Sequence, residues 1–177
     1  MIKLQGESIY LTTLEKEHCR KIWDDNEYDF ENKAELLYIG HSAEKADQWF
    51  DKIQKLQGSQ NVRLGVFLND GTVIGDVALQ DIDWNNRCCS IGMGIAKIEN
   101  RNKGYGKDAV RCIINYGFYQ LGMERITANT LDINISAQKS LEKIGFALEG
   151  KERSAVYLFG ERHDRYNYGL LVGEYIK

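Results

Sequence analysis

A chain of 177 residues can bury about 70% of its unfolded surface in one core, so residues 1–177 are read as one domain. Its hydrophobic content of 43% and charged content of 28% exclude a disordered chain, and a formal net charge of -3 argues against nonspecific nucleic-acid binding. The sequence has no apolar run near 18 residues, no basic-then-apolar leader and no acylation motif, so a cytoplasmic protein without a membrane partner is expected.

Residues 8–14 are rich in Ile, Tyr, Leu and Thr and read as a first strand. Residues 15–24 follow as a short helix with Cys19, Ile22 and Trp23 on one face. Residues 24–31 hold five acids in eight positions with two aromatics between them. That run is either a solvated helix end or a wall that attracts a cationic amine.

Residues 42–56 form the next helix, with Ser42 as N-cap and Ala46, Trp49, Phe50 and Ile53 as a core stripe. Residues 62–68 and 72–79 flank Asn69-Asp70-Gly71 as a hairpin, residues 81–86 connect onward, and residues 87–96 form another strand. Strand parity puts Cys89, Ile91, Met93 and Ile95 on one face and Cys88, Ser90, Gly92 and Gly94 on the other. Glycines in a strand mark a bulge or a close approach by a ligand, another backbone or a helix.

Residues 97–103 then lead into a helix over 105–121, striped by Ala109, Val110, Ile113, Ile114, Gly117 and Phe118. A strand over 125–130, a second helix ending at Gly145, and strands over 146–157 and 165–172 around a 159–164 turn complete the chain.

The segment Arg101-Asn102-Lys103-Gly104-Tyr105-Gly106-Lys107 feeds a helix start. Amides there lack intrahelical partners and carry the positive end of the dipole, which suits a phosphate. Glycine lets a ligand reach the main chain, and Arg101, Lys103 and Lys107 add positive charge. The nucleotide-hydrolase loop is excluded because Gly106-Lys107-Asp108 has the wrong spacing and no Lys-Ser/Thr. Gly104, Gly106, Ala109 and Glu124 formally match the dinucleotide fingerprint, but residues 97–103 separate the glycines from the strand and Glu124 precedes the next one.

No pair of the four cysteines has C-x-x-C spacing, and the adjacent Cys88 and Cys89 point to opposite faces, so reduced thiols and no zinc site are expected. His18, His41 and His163 are too scattered for a helical metal pair.

Arg101-x-x-Gly104-x-Gly106, the following helix and strand, Asn134, and Glu142-Lys143-Ile144-Gly145-Phe146 together resemble the GCN5-related N-acetyltransferase (GNAT) superfamily. Leu4-Gln5-Gly6-Glu7, Leu11-Thr12-Thr13-Leu14, Trp23, Glu44-x-x-x-x-Trp49 and the stretch 160–175 resemble its ribosomal-protein N-acetyltransferase-like branch. The resemblance implies an α/β fold of the α+β type, with a central mixed and splayed sheet flanked by helices. It also implies an acyltransferase using acetyl-CoA without a metal, in which the amides of Asn102, Lys103, Gly104, Tyr105, Gly106 and Lys107 hold the pyrophosphate.

In that reading Met93 to Ile95 run beside the pantetheine arm and orient the thioester carbonyl. Asn134 either holds the pantetheine side or an ordered water, or caps the helix that follows. Three positions depart from the family: Leu141 stands where many relatives have a tyrosine, Ala137 where the closer branch has a serine, and Ser90 where a glutamate is common. Proton transfer is therefore assigned by default to Asp83 through water and to Ser140 or Tyr166 near the sulfur, with Asp25, Glu27 and Trp84 bordering the acceptor. The expected reaction is direct acetyl transfer to a primary amine of a polyamine, a protein N-terminus or an antibiotic, with a homodimer kept open. The alternative is an acetyl-CoA-binding sensor without turnover.

Overall fold

The computed structural model describes residues 2–26 and 42–175. Among them, β1 (Lys3–Gln5), β2 (Ile9–Thr12), β3 (Val62–Leu68), β4 (Val73–Asp83) and β5 (Cys88–Ile95) form an antiparallel run. A second antiparallel run holds β6 (Arg125–Leu131), β7 (Ala147–Leu158) and β8 (Glu161–Leu171), with β8 in the middle. The two join where β5 and β6 lie parallel, giving one eight-stranded mixed sheet.

The helices are α1 (Lys16–Asp24), α2 (Ala43–Leu56), α3 (Tyr105–Tyr119) and α4 (Ile135–Ile144). Ala109, Ile113, Ile114 and Phe118 of α3 join Leu64, Val77, Leu79 and Ile126 in the larger core. Cys19 and Ile22 of α1 and Ile53 of α2 pack with Phe67 and Val73 in a smaller one. β4 is thus covered on both faces, which is why residues 73–79 read as an almost unbroken apolar run. No helix among the described residues is long and apolar enough to cross a membrane.

Three boundaries differ from the sequence-based expectation. Residues 3–5 form an additional strand, paired Leu4 to Leu11, because the carboxylate of Asp108 in α3 accepts from the amides of Glu7 (3.1 Å) and Ser8 (2.8 Å) in the intervening turn. That contact spans about a hundred residues and leaves no local signature. β4 continues through the predicted connection to Asp83, past a register shift at which Asp81 takes φ 51. The predicted 159–164 turn shrinks to Phe159 (φ 52) and Gly160 (φ 85), two positive-φ residues as a type I′ hairpin requires.

Candidate active site

β5 and β6 pair only through Cys88 to Arg125, Cys89 to Ile126 and Ser90 to Thr127. Past Ser90 the strands part, and the freed end of β5 lines a cleft of about 1540 Å³ whose other walls come from the 100–107 loop, the start of α4, and Trp23 and Trp49. Beyond Ser90, the edge of β5 facing β6 offers backbone groups to whatever enters.

The loop end of the cleft is set by α3. Gly104 is its N-cap at φ 89, a left-handed conformation costly for other residues. The first intrahelical bond runs from the Asp108 amide to the Gly104 carbonyl (3.0 Å), so the amides of Tyr105, Gly106 and Lys107 have no partner inside the helix. A Cβ on Gly104 would meet nothing within 4 Å among the described residues, whereas one on Gly106 would lie 2.7 Å from Met93 Cε. Only the first glycine opens outward; the second seats Met93 of β5 beneath the helix start.

Arg101 stitches this loop to the strand, donating from Nε to the Ile95 carbonyl (3.1 Å) and from Nη2 to that of Ala96 (2.9 Å). Arg101, Lys107, Lys139 and Lys143 all line the cleft, Asn102 joins them, and Lys103 lines a smaller neighbouring pocket with Lys107. Tyr105 packs partly buried against the core.

Of the remaining expected residues, Ser140 and Asn134 line the cleft. Asn134 also accepts the Ala137 amide at its Oδ1 (3.2 Å), so it is both helix cap and cleft wall. Three others lie off the cleft. Asp83 closes the β4–β5 connection, accepting from the Asn86 amide (2.8 Å) and from Asn86 Nδ2 (2.7 Å); the backbone bond, then the side-chain bond, holds its carboxyl below the usual range. Trp84 donates from Nε1 to the Ser59 carbonyl (2.6 Å), and the Tyr166 ring lies beneath Lys151 Nζ (4.4 Å).

Asp25 faces Lys21 (2.7 Å) and Lys97 (3.7 Å) and not the cleft lining, while Glu27 lies outside the described residues. Asp83, Trp84, Tyr166 and Asp25 are therefore not carried into the proposed chemistry. Asp83→Ala is expected to lower the Tm at pH 7. Because the folded-state pKa is depressed, the gap to wild type should begin to close below about pH 4 and vanish once the pH falls past the lowered value. A Tm gap independent of pH would contradict this role.

The structure adds residues that the sequence pattern placed in the core or did not single out. Arg63 of β3 and Asp76 of β4 form a buried ion pair at the cleft floor, with the Arg63 guanidinium 5.8 Å from the Trp49 ring centroid. Burial pushes the Asp76 carboxyl up, opposed by Arg63. The one available signal was a charged residue inside the apolar run 73–79, since a buried carboxylate needs a partner.

Burial pushes the thiols of Cys19 and Cys89 up to about 12 and that of Cys112 to about 11, leaving them protonated. His18 accepts the Glu15 amide at Nδ1 (3.1 Å), and His163 Nδ1 lies 3.3 Å from Asp132. His41 lies outside the described residues.

Residues 10–147 match the profile of the Acetyltransferase (GNAT) domain family. The chain belongs to this family. As a GNAT protein it is an acyltransferase, and its relatives are named N-acetyltransferases. YdaF of Bacillus subtilis (strain 168), a putative ribosomal N-acetyltransferase, is 37% identical over 108 residues, 61% of this chain and 58% of its own length. YjcK of the same organism, a probable N-acetyltransferase, is 28% identical over 95% of this chain and 96% of its own. The spermidine N-acetyltransferase of Vibrio cholerae, crystallised with CoA and spermine, superposes with a TM-score of 0.85 at 21% identity, over 97% of this chain and all of that one. That likeness is one of fold.

Proposed function

We propose that this GNAT protein moves the acetyl group of acetyl-CoA directly to a primary amine held in the same complex. The observation that carries the reading is that a single cleft joins the unpartnered amides opening α3 to the parted end of β5. Its described lining holds five cations, Arg63, Arg101, Lys107, Lys139 and Lys143, against one acid, Asp76, a balance that suits an anionic diphosphate.

The main chain from Asn102 to Lys107 would hold that diphosphate, and Asn134 and Ser140 would flank the arm that follows it. When bound, acetyl-CoA supplies a thioester activated toward attack by nitrogen. Backbone N-H groups of Met93 to Ile95 would orient its carbonyl and stabilise the oxyanion, where a well-placed donor is worth about 10²–10³ in rate. Ser140 is the side chain assigned to the departing sulfur. The same reading has the reaction run in the cytoplasm without a nucleic-acid or membrane partner.

The acceptor is the primary amine of a polyamine, of a protein N-terminus or of an antibiotic; the Vibrio cholerae protein is named for spermidine and YdaF as a ribosomal N-acetyltransferase. A screen of acetyl-CoA with polyamines, peptide N-termini and aminoglycosides, read as free thiol release, is expected to show turnover with at least one class. Tight CoA binding without thiol release across the panel would contradict it and favour the sensor alternative.

A further inference from the structure

We propose that Asp76 is a catalytic residue, whose Oδ1 receives the acceptor ammonium and takes its proton before the nitrogen attacks. The inference rests on the acetyl-transfer reading and names the group that reading leaves unassigned.

Asp76 has a glycine as its Cα partner on each side, Gly65 in β3 and Gly94 in β5. The two gaps differ. A Cβ on Gly65 would run into Leu14 and Phe67, so that space is already filled. Among the described residues, a Cβ on Gly94 would find only Asp76 Oδ1 within 4 Å, at 3.9 Å. Gly94 lies in the stretch of β5 that has left β6.

Arg63 pairs in register with Ala78, two positions from Asp76, so the two charged side chains share a face as diagonal neighbours. Its Nη1 meets Asp76 Oδ2. One carboxylate oxygen is thus committed to Arg63, and among the described residues the other faces the backbone of Gly94 at the floor of the cleft.

The surrounding groups leave Asp76 as the proton acceptor there. It is the one acid among the described cleft-lining residues. From α1 it faces the Cys19 thiol, raised by burial first and then by Asp76 itself, and therefore protonated. The other acids that act on that thiol are Asp47 of α2, held by Arg20 Nε (2.7 Å), and Glu15, and at position 94 β5 brings no charge. Burial raises the carboxyl above its ordinary value, which makes it a better base than a surface aspartate.

The step balances. The ammonium gives one proton to Oδ1, the freed lone pair forms the C-N bond, and the C-S bond breaks. The thiolate takes the second nitrogen-bound proton, directly or through solvent, and Asp76 releases its own proton to solvent. The net products are the N-acetyl amine, CoA thiol and one proton.

The test is steady-state kinetics with CoA titration calorimetry on wild type, Asp76→Asn, Asp76→Glu and Gly94→Ala. Asp76→Asn should lose about 10²–10⁴ in kcat/KM for the amine, the range for a general base, while CoA affinity stays unchanged. Its kcat/KM should rise with free amine up to the amine pKa of about 10.4, so the deficit narrows as pH rises; Asp76→Glu should recover part of the rate.

Removing the Asp76 charge leaves Arg63 unpaired and can weaken the fold, so Gly94→Ala is the second arm. Its methyl has room against the protein but fills the space before Oδ1, and should cut kcat/KM at least tenfold at near-wild-type Tm. Wild-type kcat/KM and pH profile in Asp76→Asn, or full activity in Gly94→Ala, would overturn the assignment while leaving acetyl transfer intact. A wild-type protein that neither binds CoA nor releases thiol would overturn both.

Discussion

Gly104→Glu is expected to weaken CoA binding about a hundredfold while the fold survives. Two effects act at this position. The residue sits at φ 89, where a side chain costs about 1 kcal/mol in backbone strain, and its Cβ would point into open space instead of into a neighbour. The strain alone should lower the Tm by only about 2–4 °C for a chain of this size.

The larger effect is electrostatic. A carboxylate beside the start of α3 reverses the sign of the site, and a like-charge contact at about 4 Å costs about 4 kcal/mol at an effective dielectric of 20, less where solvent screens it. A hundredfold loss corresponds to about 2.7 kcal/mol, inside that limit. Gly104→Ala carries the strain without the charge and should keep most of the affinity. Calorimetric titration of both variants with CoA separates the two effects, and unchanged affinity in Gly104→Glu would contradict the placement of the diphosphate.

Gly75→Ala is expected to destabilise the fold more than Gly104→Ala or Gly94→Ala, although each adds a single methyl. A Cβ on Gly75 would run into the carbonyl oxygen of Gly94 and press on the Cα of Ile95, both backbone atoms of β5. Side chains can swing away from such a clash; a paired strand cannot. Overpacking of this kind costs about 1–3 kcal/mol, and the backbone obstacle places this case at the upper end, a Tm loss of about 6–12 °C.

The same push would move β5 where it leaves β6, so activity should fall further than stability explains. Thermal denaturation and kcat at a temperature where the variant is fully folded check both parts. A Tm within about 2 °C of wild type would show that β4 and β5 are less tightly registered than described.

Much of this fold could be read from local pattern. The stripe of α3, the Gly145 stop of α4 and the Asn69-Asp70-Gly71 hairpin each depend on residues close in sequence, and each appears where expected. The 101–107 loop was legible for the same reason, because a helix start and its glycines are adjacent in the chain.

The elements that escaped depend on partners far away. β1 exists because Asp108 clasps the turn that leads out of it, and the Arg63–Asp76 pair at the cleft floor exists because register sets the two residues diagonal to each other. Asp83, a default choice for proton transfer, and Trp84 sit at the closed end of β5, where β6 still pairs. Which end of a strand pair opens is decided by tertiary packing, and alternation along the sequence carries no trace of it.

The most direct test of the account is an amide-resolved ¹H-¹⁵N titration of the intact chain with CoA. The expected result is saturable shifts concentrated at Gly104, Tyr105, Gly106 and Lys107 and continuing to Met93 to Ile95, with a CoA fragment bearing only the nucleotide diphosphate moving the first group alone. Shifts that leave the start of α3 untouched while CoA binds elsewhere would contradict it.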